Sequence, residues 1–147
     1  MQYKGFNNNL IVRGNAVYGN LGASGALTTI NNSSSAASGY PNTTVAQNAV
    51  SYGGEAGYNI GSFFHSKAPR IYPFIRYEYY NPMEKTEANT GLLADKRFQV
   101  SAVTAGLNYY ALPNLVIKAD YTHRSIGGGK YNDENLVSVG ICLLYTS

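Results

Sequence analysis

The feature that most constrains this chain is a period-two alternation of apolar and charged residues, repeated in several segments. Over 115–124, Leu115, Ile117, Ala119, Tyr121 and His123 alternate with Val116, Lys118, Asp120, Thr122 and Arg124. Over 50–60, Val50, Tyr52, Gly54, Ala56, Tyr58 and Ile60 alternate with Ser51, Gly53, Glu55, Gly57 and Asn59. Over 71–79, Ile71, Pro73, Ile75, Tyr77 and Tyr79 oppose a face holding Arg76 and Glu78. Side chains on a strand point alternately to opposite faces, so each segment reads as a strand with one apolar and one polar face. Segment 97–111 is less regular. Val103, Ala105, Leu107 and Tyr109 share a face, but Phe98, Val100 and Ala102 are in the opposite phase, which a bulge or an extension beyond the packed region would explain.

Composition sharpens this reading. Only 13% of the residues are charged, against roughly 25% in an average soluble domain. No apolar run approaches the ~20 residues of a membrane helix. Low charge without helical spans is expected of transmembrane strands. The 14 Tyr, against 5 Phe and no Trp, suit strands and membrane interfaces, because Tyr joins an apolar ring to a wet hydroxyl. Ala and Gly are frequent on both faces, which would make a poor soluble core.

The expected organisation is all-β and antiparallel, an up-and-down succession of about six strands. They cover about 9–20, 47–60, 71–80, 97–111, 115–126 and from 134 onwards. The stretch 22–44, rich in small polar residues, reads as a loop. Asn81-Pro82 is expected to end the third strand, with a polar loop to Asp95. Leu112-Pro113-Asn114 is a tight turn, and Gly127-Gly128-Gly129 opens a loop to Asp133. The connections run long, short, long, short, medium. Outer-membrane barrels have short periplasmic turns and longer extracellular loops, so 22–44, 81–95 and 127–133 are expected outside, and 62–69 and 112–114 in the periplasm.

Catalysis and cofactors find little support. Cys142, the only cysteine, has no nearby base. His65 and His123 have no second ligand at metal spacing. Gly127-Gly128-Gly129-Lys130 lacks the spacing and the Ser/Thr of a phosphate loop. Asn132-Asp133-Glu134-Asn135 reads as a solvated loop rather than a calcium site, and nothing fixes Glu55 and Glu78 as a catalytic carboxylate pair. A net charge of +3, without basic runs, does not point to nucleic acid. The expectation is a non-enzyme with no catalytic residues, metal or cofactor.

The polar face is the functional candidate: Arg13, Glu55, Arg76, Glu78, Lys118, Asp120 and Arg124, four bases and three acids. Such residues set selectivity when they line a pore, or merely pair across strands and keep a wall hydrated. Two other readings remain open: a soluble β-barrel that binds a ligand or adheres, and an outer-membrane barrel without an open pore.

The segments IYPFIRYEYYNPM (71–83), GGEAGYNI (53–60), TAGLNYYALPNLVIKADYTHR (104–124) and LIVRGNAVYGNLG (10–22) resemble the phosphate-selective porin O/P-like family of outer-membrane porins. The resemblance spans nearly the whole chain, and RYEYY and LNYY…KADY are its most specific parts. It implies a transmembrane barrel of about sixteen strands, of which these would be the C-terminal ones. It further implies a homotrimer in outer-membrane lipid that passes small solutes or ions by diffusion. The even charge balance argues against strong phosphate selectivity. MQYKGFNNNL has no signal-peptide h-region, so residues 1–141 are expected to be a piece of one barrel domain. CLLYTS (142–147) matches, residue for residue, one reading frame of a transposon adaptor used in sequencing libraries, and is expected to be a non-native tail.

Overall fold

In a computed structural model, residues 1–38, 45–63, 69–85, 96–129 and 132–143 are described. They form one antiparallel sheet of seven strands in which every neighbour in space is a neighbour in sequence. The strands are β1 (Gln2–Gly5), β2 (Leu10–Asn20), β3 (Asn48–Tyr58), β4 (Arg70–Lys85), β5 (Val100–Leu112), β6 (Leu115–Ile126) and β7 (Asp133–Leu143). A helix, α1 (Ser24–Ser38), lies between β2 and β3. The sheet is not closed: β1 and β7 are its edges.

The all-β antiparallel meander agrees with the sequence reading, and three details correct it. The first is β1, which pairs Gln2 with Arg13 and Gly5 with Leu10. Its turn places Phe6, Asn7 and Asn8 at positive φ. Asn tolerates that region well, whereas a Phe there is strained.

The second is α1, where a loop was expected. Ser, Thr and Asn have poor intrinsic helix preference, so this helix owes its place to specific ties. Ser24 and Thr28 are buried. The Thr28 hydroxyl donates to the Ser24 carbonyl at 2.8 Å and accepts from the Val45 amide at 3.0 Å, fastening α1 to the approach to β3.

The third is β4, which passes through Asn81-Pro82 to Lys85 instead of ending there. Val50 pairs with Asn81 and Asn48 with Lys85. β4 thus fits four residues against two of β3, a bulge that accommodates a proline without a ladder N–H. The Asn81 side chain accepts from the Met83 amide at 3.1 Å within it.

The irregularity in segment 97–111 also resolves. Phe98 belongs to a short 3-10 turn, Lys96–Phe98, before β5. Register then runs unbroken from Val100 to Tyr110, with no bulge there. Residues 64–68, which hold His65, and all of 86–95 lie outside the described residues. Of 142–147, Cys142 and Leu143 continue β7, opposite Val116 and Leu115; the other four residues lie outside the described ones.

Candidate functional site: a charged concave face

Residues directly opposite one another in the ladder share a face, so the register assigns every side chain. One row across six strands is Arg13–Glu55–Arg76–Thr104–Thr122–Leu136. Glu78 and Arg124 lie two residues to one side of this row, Asp120 and Lys118 two and four to the other. All seven candidate residues therefore project from the same face. Along the paired registers, the opposite face of β2–β6 carries no Asp, Glu, Lys or Arg except Lys85, opposite Asn48 at the end of β4 beyond the bulge.

The charged face is the enclosed one. A single cavity of 770 Å³ is bounded by residues from every strand from β2 to β7, including Asn15 on β2 and Leu136 on β7. The sheet must curl with that face inside to bring them around one space. Along β5 the inward Val100 and Thr104 are buried, while the outward Val103, Ala105, Leu107 and Tyr109 are exposed. On β7 the outward Val139 is 76% exposed. A soluble sheet does the reverse and buries its apolar face.

The charges are largely compensated. Glu55 receives Arg13 Nη1 on one carboxylate oxygen and Arg76 Nε on the other, each at 3.1 Å. Arg76 also reaches Glu78 at 3.7 Å, and its guanidinium lies 5.8 Å from the centre of the Phe74 ring. Arg124 pairs with Glu134 of β7. Lys118 and Asp120, on the same face of β6, make no ion pair among the described residues. Lys118 stands opposite Asn108, whose Oδ1 is buried without a protein partner. In a wet wall a water fills that role.

Sequence reasoning thus places the seven residues on one face but misses their partners. Glu134 and Phe74 were not foreseen, nor was the 2.8 Å hydroxyl contact between Thr104 and Thr122. The Arg124–Glu134 pair had a signal: the two residues are equidistant from Gly129, the centre of the glycine turn. It sets the two cations of β6 apart, because Arg124 is partnered and Lys118 is not. No group of three or more His, Cys, Asp or Glu able to hold a metal occurs among the described residues. Comparisons with protein-family models, curated proteins and solved structures find no match.

Proposed function

We propose that the chain is a section of the wall of a bacterial outer-membrane β-barrel porin, its charged face turned to a water-filled channel for small solutes and its apolar face to lipid. The observation that carries this reading is the inverted sheet: charges enclosed on the concave side, aliphatic and Tyr side chains exposed on the convex one. A soluble barrel, whether ligand-binding or adhesive, would have to fill its interior with the charged face and wet the apolar one.

The slant of the apolar band supports the membrane further. Towards the long connections, the last apolar outward residue is Tyr18 on β2 and Val50 on β3, each five residues beyond the Arg13–Leu136 row. It is Tyr79 on β4, three beyond, and Val103 on β5, one beyond. On β6 and β7 it is Tyr121 and Val137, one short of the row. The boundary therefore falls six residues in five strand steps, about 1.2 per strand. With ~3.3 Å per residue and ~4.8 Å between strands, a level boundary requires strands tilted by about 40°. The other boundary, from Tyr58, three residues from the row on β3, to Leu143, seven from it on β7, falls less steeply and gives roughly 35°. Transmembrane barrels tilt their strands by roughly 35–45°, so a flat bilayer edge accounts for the slant.

Passive diffusion suits a wall whose charges are mostly paired, with the unpaired Lys118 and Asp120 of β6 offsetting one another. Reconstituting the complete gene product in planar bilayers tests this. Stepwise conductance is expected. A product that inserts without conducting would be a barrel without a pore, and one that stays in the soluble periplasmic fraction would sink the membrane reading.

A further inference from the structure

The 770 Å³ cavity is built on one register row, Asn15–Gly53–Glu78–Ala102–Arg124–Glu134. Ala102 sits between Glu78 and Arg124, and nothing larger than its methyl group rises between the two charges. Glu78 and Arg124 are two strands apart, so their backbones are separated by roughly 10 Å. A carboxylate on one side of a small floor thus faces a guanidinium on the other. Each already has an opposite partner, Arg76 for Glu78 and Glu134 for Arg124. All four side chains of these pairs are 40% exposed or more, so the pairs hold one another weakly and exchange readily with a solute.

The four charges sum to zero. A solute with net charge gains at one wall what it loses at the other, whereas a zwitterion gains at both. Its ammonium group would meet Glu78 and its carboxylate the guanidinium of Arg124, whose planar fork suits two carboxylate oxygens. Beside this polar axis stand two apolar groups, buried Val100 and exposed Leu136. The geometry points to a binding subsite for a small zwitterion with an apolar side chain, an amino acid or short peptide. This rests on the porin reading, because it takes the cavity to be part of the channel wall.

L-Leucine added to a conducting channel in a planar bilayer tests it. Leucine is expected to lower the open-channel current saturably. At equal ionic strength, N-acetyl-leucine, an anion, and leucinamide, a cation, should need at least about tenfold more for the same effect. Ala102→Leu, which fills the floor and leaves both ion pairs in place, should raise the half-blocking concentration of leucine about tenfold or more, read as the fraction of the variant's own current in plain salt. Equal block by all three compounds, or a conducting channel indifferent to leucine, would overturn the subsite and leave the porin standing. No conductance at all would overturn the porin and the subsite with it.

Discussion

Glu55 is the residue on which the charged face turns, because it pairs with both Arg13 and Arg76. Glu55→Gln keeps its shape and leaves both guanidinium groups without that charge. In channels of the complete gene product, the reversal potential is expected to move towards anion selectivity. The shift should be larger at about 0.01 M salt than at about 1 M, where the screening length falls from roughly 30 Å to 3 Å. An unchanged potential at low salt would remove Glu55 from the lumen. Lys118, exposed and unpaired among the described residues, should act in the opposite sense: Lys118→Gln is expected to weaken any anion preference. The outward neighbours of Lys118 behave differently. Ile117 and Ala119 lie at the middle of the apolar band on β6, which the proposed function turns to lipid, and at a bilayer midplane a cation costs ~2–4 kcal/mol. Ile117→Arg and Ala119→Arg should therefore reduce the folded, inserted fraction in vesicles, measured by resistance to protease, while Lys118→Gln leaves it intact.

Among the elements, strands were legible in the sequence and the helix was not. Alternation fixes β6 face by face, because its apolar and charged positions are cleanly separated from Leu115 to Arg124. The registers of β5 with β6 and β6 with β7 follow from short turns centred near Pro113 and Gly129. The register that joins Arg13, Glu55 and Arg76 spans two longer connections, and no local signal sets it. The helix α1 escaped because its Ser, Thr and Asn residues speak for a loop, and what holds it is the Thr28 hydroxyl reaching Val45. Thr28→Val keeps the volume and removes both hydrogen bonds, at a cost of about 1 kcal/mol. It should speed amide exchange at Val45 and leave the exchange of β5 and β6 unchanged. Within the sheet, Gly106 is covered by Phe74: an added Cβ would lie 2.5 Å from the ring and 2.8 Å from the Asp120 Cβ. Gly106→Val should lower stability, and Phe74→Ala in the same chain should recover part of the loss. No recovery would mean that the ring is not what excludes a side chain there.

At the scale of the whole molecule, the unpaired edges decide what the described sheet can do by itself. In hydrocarbon each unpaired backbone group costs several kcal/mol, so spanning sheets close, and the smallest bacterial barrels use eight strands. The seven strands described here, with β1 only four residues long, are expected to give no stable unitary conductance as an isolated chain. A sharp single-channel current from these 147 residues alone would contradict the view that they are part of a larger wall. The central claim is narrower and more direct: the charged face meets water and the apolar face meets lipid. Spin labels placed singly at 117–122 on β6 of the complete gene product in bilayers, with Cys142 replaced by Ser, measure it. The odd positions should collide preferentially with oxygen, which concentrates in lipid, and the even positions with a water-soluble nickel chelate, alternating residue by residue. The opposite phase, with 118, 120 and 122 in the oxygen-rich medium, or no alternation at all, would contradict the account.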